Sequence, residues 1–243
     1  GRSHTCAVSE SKDVWCWGSN EYGQLGVSIG IDESSASMVK AEVGKAVRKS
    51  SVPIKISSLQ QFRSVALTKN TSCALTESNI AVCWGLNDFG QLGVGSVGGS
   101  FPIPTAIPNY TFYFLSSGTG NHICGITNNG VFCWGDNRYG QLGIGSSSNT
   151  PKSTPQYVLP RTRLIYITTG KRHTCALDYN GYAYCWGSNE YGQLDSAESN
   201  LFSPPSAPIM VNGVYPTWSS ITAGDYFTCG ITSSGKGVVR GKT

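Results

Sequence analysis

One string constrains this chain more than any other. Cys-Trp-Gly occurs at 16–18, 83–85, 133–135 and 185–187, and each copy runs through a turn into Gly-Gln-Leu. The copies read CWGSNEYGQLG (16–26), CWGLNDFGQLG (83–93), CWGDNRYGQLG (133–143) and CWGSNEYGQLD (185–195). Upstream of each lies a second cysteine in an alternating segment: HTCAV, TSCAL, HICGI and HTCAL. A fifth such segment, FTCGI at 227–231, opens a further unit. Self-similarity at this period requires a row of like supersecondary units that bury their faces on one another.

Each unit reads as β structure. In the unit ending at Asp195, Leu164–Thr168 is a β-rich run, His173–Leu177 alternates, Tyr182–Trp186 is aromatic and alternating, and Gln193–Leu194 opens a fourth stretch. About four short strands per roughly 50 residues, punctuated by Gly and Asn turns, predict the blade of a propeller. Helical spacing is confined to Val39, Val43 and Val47, inside a long insertion at 27–52. Composition agrees. Charged residues are 13%, about half the usual ~25%, as expected where much surface is spent on strand and blade contacts. Apolar residues at 39% exclude a disordered tail, and a net charge of +4 is too mild for a dedicated nucleic-acid binder. No run of about 18 apolar residues is present to span a bilayer. The chain opens at Gly1 rather than Met, which suggests a mature or trimmed segment.

The nine cysteines follow the repeat. Cys6 and Cys16, Cys73 and Cys83, and Cys175 and Cys185 are ten residues apart; Cys124 and Cys133 are nine apart. Each pair flanks a turn, and the shorter spacing comes with a shorter turn. The midpoint is Asn180 in Tyr179-Asn180-Gly181, but lies between Asn128 and Asn129 in the nine-residue pair. The cysteines therefore face each other across a hairpin, where Cα atoms lie about 4.5–5.5 Å apart, within the roughly 4.4–6.8 Å of a disulfide. Four hairpin disulfides are predicted, and with them an oxidising compartment. Zinc would need ligand spacings that are absent here; reduced buried cysteines are the other alternative. Cys229 has no local partner. Val239 stands where its mate belongs and Arg240 where tryptophan belongs. The pattern collapses over 235–243, which reads as a truncated or misread end, with a free thiol or an intermolecular bond as further readings.

The Gly-x-x-His-Thr-x-Ala-Leu segment at 170–177, the Trp-Gly-x-Asn turn and the Gly-Gln-Leu-Gly motif resemble the regulator of chromosome condensation repeat family. The resemblance covers essentially the whole chain. It implies an all-β propeller, usually of seven blades, of which about four and a half repeats are present; a closed ring of five is the alternative. Repeat boundaries fall near 1–26, 53–93, 105–143, 155–195 and 207–243. The cysteine pairs depart from nuclear members and are similar to those of secreted or cell-surface relatives.

Candidate chemistry is sparse. His4, His122 and His173 each lie two residues before a repeat cysteine, where the other units carry Thr71 and Phe227. A part recurring in blade after blade is structural rather than catalytic. Asn20, Asn87, Asn137 and Asn189 can cap their own turns. Gly23, Gly90, Gly140 and Gly192 fit turns of positive φ or close approach. Trp17, Trp84, Trp134 and Trp186 are expected between blades. Glu21, Asp88, Arg138 and Glu190 share one turn position, which no repeated general acid would tolerate. No phosphate loop, nucleophile elbow or zinc motif occurs, so no enzyme, cofactor or metal is predicted. Two sequons, Asn109-Tyr110-Thr111 and Asn70-Thr71-Ser72, are glycosylation candidates.

The segments after each Gly-Gln-Leu, Val27–Val52, Val94–Pro104, Ile144–Pro155 and Asp195–Pro208, are rich in Ser, Gly and Pro and are expected to be surface loops suited to binding. Lys40, Lys45, Arg48 and Lys49 mark the first as a contact arm. Pro102, Pro104, Pro108, Pro151, Pro155 and Pro160 are expected to protect sheet edges or set extended linkers. The function expected is a non-enzymatic extracellular or cell-surface module that binds protein or glycan, or builds a larger surface assembly. The alternatives are a nuclear or cytosolic guanine-nucleotide exchange factor or chromatin binder, and a secreted enzyme inhibitor. Neither nucleic acid nor membrane insertion is expected.

Overall fold

The computed structural model describes residues 1–27, 48–158, 163–195, 205–211 and 217–243. They form five antiparallel sheets. The first holds β1 (His4–Val8), β2 (Val14–Ser19) and β3 (Lys49–Lys55). The second holds β4 (Phe62–Leu67), β5 (Thr71–Thr76), β6 (Ala81–Leu86) and β7 (Ser100–Ala106). The third holds β8 (Phe114–Ser117), β9 (His122–Thr127), β10 (Gly130–Asn137) and β11 (Ser148–Tyr157). The fourth holds β12 (Leu164–Thr169), β13 (His173–Asp178), β14 (Ala183–Gly187) and β15 (Ile209–Met210). The fifth holds β16 (Trp218–Ala223), β17 (Phe227–Thr232) and β18 (Gly237–Gly241). Strands pair in sequence order, so each sheet is a meander.

The sheets pack face to face in chain order, and β4, β8, β12 and β16 lie against one another along the inner side. This is a row of propeller blades. Among the described residues, no comparable packing joins the fifth sheet to the first. The core is accordingly not one cluster but four layers, one in each joint. Leu25, Phe62, Ala74 and Trp84 fill the first joint; Leu92, Phe112, Ile123 and Trp134 the second; Leu142, Leu164, Ile167 and Trp186 the third; Leu194, Trp218, Ile221 and Val238 the fourth. Middle strands are covered on both faces. Every residue of β5 and of β13 is buried, although the sequence of each alternates. Outer strands are exposed. Pro102 and Pro104 lie in β7, and Pro151 and Pro155 in β11, where a missing N–H interrupts no further ladder.

The hairpin registers oppose the cysteines as the spacings require: Cys6↔Cys16, Cys73↔Cys83, Cys124↔Cys133 and Cys175↔Cys185. All four pairs are disulfide-bonded, with Cα atoms 4.1 Å apart. The turns need one residue in the left-handed region. Lys12 (φ 64°), Asn79 (φ 64°), Gly130 (φ 121°), Gly181 (φ 83°) and Gly235 (φ 84°) supply it in the five hairpins, three of them with the glycine that suits it best.

Three expectations change. Gln193 and Leu194 lie in a turn and do not begin a strand. The outer strand starts later, so two of the predicted surface loops are partly strand, at 100–104 in β7 and 148–155 in β11, while most of the loops 27–52 and 195–208 lies outside the described residues. The helical spacing at Val39, Val43 and Val47 lies outside the described residues. The end of the chain, where the repeat pattern collapses, is still a strand: β18 pairs with β17 in continuous register, setting Cys229 opposite Val239 and Thr228 opposite Arg240. Val238 is buried in the fourth joint, which is what holds this glycine-rich strand in place. Cys229 is a half-buried free thiol.

Each disulfide closes a loop of about ten residues, worth about 3 kcal/mol by chain entropy. Replacing Cys73 and Cys83 together with alanine should therefore lower stability by about 3 kcal/mol, read as a fall in Tm, and leave the other three bonds countable by mass after alkylation.

Candidate functional site

The repeat motif builds a rigid turn whose product is one aimed carbonyl. The Asn side-chain oxygen accepts from the backbone N–H five residues on: Leu25 to Asn20 at 2.9 Å, Leu92 to Asn87 at 3.1 Å, Leu142 to Asn137 at 3.2 Å and Leu194 to Asn189 at 2.9 Å. The Gln side-chain oxygen accepts from the aromatic residue two before it, as in Tyr22 to Gln24 and Phe89 to Gln91, both at 2.8 Å. The glutamine main-chain carbonyl then faces the following blade. There the indole N–H of Trp84, Trp134 and Trp186 donates to Gln24, Gln91 and Gln141 respectively, each at 2.9 Å. The role of this glutamine was not read from the sequence. The signal available was its invariance across four copies in which neighbouring positions vary. Trp17 is half-buried in the first sheet, and among the described residues no preceding turn offers it a glutamine carbonyl.

The histidines extend the same joints. Ser72 and Thr174 donate to the carbonyls of Gln24 and Gln141 at 2.8 Å. Their oxygens are then free to accept from His4 Nε2 at 2.8 Å and His122 Nε2 at 2.9 Å. This places the proton on Nε2 and leaves Nδ1 a bare, unpartnered lone pair. His173 meets Thr228 at 3.0 Å. In the second joint Thr71 stands in place of histidine and Ile123 in place of the hydroxyl, so the two are lost together. Burial is the main force lowering these imidazoles, to about 4 for His4 and His122 and about 3 for His173. All three are neutral ties between blades.

The fourth joint breaks the rule by a paired exchange. A Cβ on Gly26, Gly93 or Gly143 would lie 2.6–3.0 Å from the next blade's indole nitrogen. Asp195 occupies the corresponding position, and Arg240 replaces the tryptophan. Arg240 Nε meets Asp195 Oδ1 at 2.9 Å. The gap left beside Cys229 encloses about 20 Å³, room for one water.

Away from the joints, the inner strands expose a distinct surface. At or just before the start of each lies a buried apolar residue, Phe62, Phe112, Leu164 or Trp218. Bulges follow at Phe62/Ser64, Leu164/Tyr166 and Trp218/Ser220, and turn successive residues outward. In the fourth blade these are Ile165 and Tyr166; the matching positions of the third blade, whose inner strand pairs in unbroken register, hold Tyr113 and Phe114, and all four are exposed, with the Phe114 and Tyr166 rings 5.7 Å apart. Arg63 reaches from the second blade to the carbonyls of Phe112 (3.2 Å) and Tyr113 (2.8 Å). The result is a contiguous aromatic patch on a rigid frame, a feature that marks interaction sites.

The other sequence candidates lie apart from this patch. Arg48 and Lys49 are exposed at the start of the outer strand of the first sheet; Lys40 and Lys45 lie outside the described residues. Arg138 is bound by Asp136 at 2.8 and 2.9 Å and lies 4.7 Å over the Phe89 ring of the preceding blade. Arg172 similarly covers Tyr139 at 4.4 Å. Asn109 is exposed with φ 67°. Asn70 is half-buried, and the hydroxyls of its sequon serve the carbonyls of Leu86 and Gln24. No cluster of three metal-ligating side chains exists among the described residues.

Together these joints and strands define a repeat-built β-propeller. Two models of the regulator of chromosome condensation (RCC1) repeat match the sequence, one at 13–75 and 128–177, the other at 1–24, 62–91 and 165–193. The rat protein named "Probable E3 ubiquitin-protein ligase HERC4" is 31% identical over 238 residues, covering 93% of this chain but 21% of its own length. The structure of human WBSCR16 superposes with a TM-score of 0.79 at 20% identity, over all of this chain and 60% of that one. Yeast RCC1 (Prp20), solved bound to Kap60, gives 0.77 at 24%, over all of this chain and 54% of that one. The chain belongs to the RCC1 repeat family, and it spans about a fifth of the HERC4 relative.

Two outcomes test the joints. The neutral histidines contribute stability above their ordinary titration near pH 6.5 that is withdrawn as pH falls toward 4, on the order of 3 kcal/mol each. Tm should be flat above pH 7 and drop steeply between 6.5 and 4, with a shallower drop in His122→Thr. In the fourth joint, Arg240→Trp and Asp195→Gly should each destabilise alone, and the double variant should recover at least about 1 kcal/mol relative to their sum, measured by a double-mutant cycle.

Proposed function

We propose that this chain is a non-enzymatic propeller module that acts outside the cell or at its surface, where it docks a protein partner on the aromatic patch of the third and fourth blades. The four hairpin disulfides carry the reading. A bond repeated in every blade with a complete cysteine pair is of use only where thiols stay oxidised. The patch supplies the docking surface: aromatic side chains on a frame that does not move give large contact at low entropic cost. Nothing in the repeated turns offers a nucleophile with a base beside it.

A second reading is favoured by the likeness to yeast RCC1. Prp20p is described by its binding to Gsp1p and histones, which suggests a nuclear or cytosolic role in guanine-nucleotide exchange or on chromatin. One measurement separates the two. Thiols are alkylated at the moment of lysis in the native source and the protein's mass is read before and after reduction. The extracellular reading expects one label, on Cys229, rising to nine of nine cysteines; nine labels before reduction would overturn it. The docking surface has its own test. Phe114→Ser with Tyr166→Ser should abolish partner retention while changing stability by less than about 1 kcal/mol, because both side chains are already exposed.

A further inference from the structure

Beside the patch lies a cleft of about 280 Å³ between the segment leaving the second blade and the hairpin turn of the third. This is the lower end of the size of small-molecule sites. Its composition is narrow. Tyr110 and Phe132 form the aromatic wall, their rings 5.2 Å apart and edge to face. The wall is fixed from behind. Tyr110 stacks on buried Phe112 at 5.7 Å and donates its hydroxyl to the carbonyl of Pro155 at 3.1 Å, while Phe132 packs on Tyr157 at 5.4 Å. The opposite side carries only carboxamides and hydroxyls, and no charged side chain lines the cleft. Thr127 and Asn128 are engaged, with Gly130 O at 3.0 Å and the Tyr113 hydroxyl at 2.7 Å. The side chains of Asn109, Thr111 and Asn129 make no hydrogen bond among the described residues.

We propose that this cleft binds one neutral sugar ring, a hexose or N-acetylhexosamine. A carboxamide presents a donor and an acceptor side by side, which matches vicinal hydroxyls that each donate and accept. Uncharged lining excludes phosphates, carboxylates and ammonium groups, which would lose hydration without a counter-charge. An aromatic face accommodates the C–H side of a pyranose, as amphipathic rings do wherever one side of a ligand is apolar and the other wet. The inference does not depend on the compartment, which thiol trapping decides.

The sugar can come from two sources. Asn109 begins the sequon Asn109-Tyr110-Thr111, so a glycan attached there starts at the cleft's own lining; the alternative is an external oligosaccharide. The test uses the disulfide-intact full chain made in bacteria, free of N-glycan. It is titrated by NMR with N-acetylglucosamine, glucose, galactose and mannose, and with N-acetylneuraminic acid as the charged control. Saturable binding of a neutral sugar is expected, with Kd on the order of 1 mM. Asn129→Ala should weaken it about tenfold and Asn129→Ala with Thr111→Val should remove it, both with Tm unchanged, while the acid does not bind. Glycosylated protein from eukaryotic cells distinguishes the sources. Sugar binding by the glycan-free bacterial form but not by the glycosylated form identifies the chain's own glycan as occupant, and equal binding in both forms identifies an external one. Absence of saturation by every neutral sugar in both forms, or binding that survives the double variant, overturns the proposal.

Discussion

The structure depends on a hydrogen bond that crosses from one blade to the next. A buried indole N–H without an acceptor costs several times what a satisfied one contributes. Trp84, Trp134 and Trp186 are fully buried, and each finds its acceptor on the glutamine carbonyl of the preceding blade. No blade can satisfy its own tryptophan. The rigid turn exists to hold that carbonyl still, which is why Asn and Gln side chains are spent on backbone N–H groups inside it. The glycine after Gln-Leu follows from the same bond, since a Cβ there would meet the indole.

Covalent and non-covalent ties are thereby divided. Disulfides close the four hairpins that have a complete cysteine pair, whereas the links between blades among the described residues are non-covalent: packing, hydrogen bonds and ion pairs. The exceptions support this division because they occur as pairs. Loss of histidine at Thr71 accompanies loss of the hydroxyl at Ile123, and Arg240 in place of tryptophan accompanies Asp195 in place of glycine. Both exchanges keep a joint satisfied. The joint, rather than the residue, is the unit that tolerates replacement.

The blades and their cysteine pairing were legible in the sequence because both are local. A strand, a turn and a strand lie within about 20 residues of each other, and an opposed pair is fixed by turn length alone. What escaped was set by neighbours distant in sequence. Gln-Leu looked like the start of a strand because Leu194 is buried, but that burial comes from the adjacent blade. The final strand looked like debris because its tryptophan and cysteine are gone, and its support, Asp195, lies 45 residues earlier. The aromatic patch was invisible because it is assembled from two blades, Tyr113 and Phe114 of one beside Ile165 and Tyr166 of the next. The cleft was invisible because it forms where the connector at 109–111 meets the hairpin at 127–132, a meeting set by how the connector enters the blade.

The same logic indicates where recognition can reside. At or just before the start of each inner strand, Phe62, Phe112, Leu164 and Trp218 are all large, apolar and buried, since each must fill a joint. The next residue is released from that duty, and it differs in every blade: Arg63, Tyr113, Ile165 and Ser219. Around an otherwise repetitive frame these positions make one arc cationic, the next aromatic and apolar, and the last hydroxylic. For a partner reading such a surface the orientations are not equivalent, because rotating it by one blade replaces Tyr113 and Phe114 with Ile165 and Tyr166 or with Arg63 and Ser64. Repetition in the joints supplies the rigidity, and its absence on the inner rim supplies the specificity.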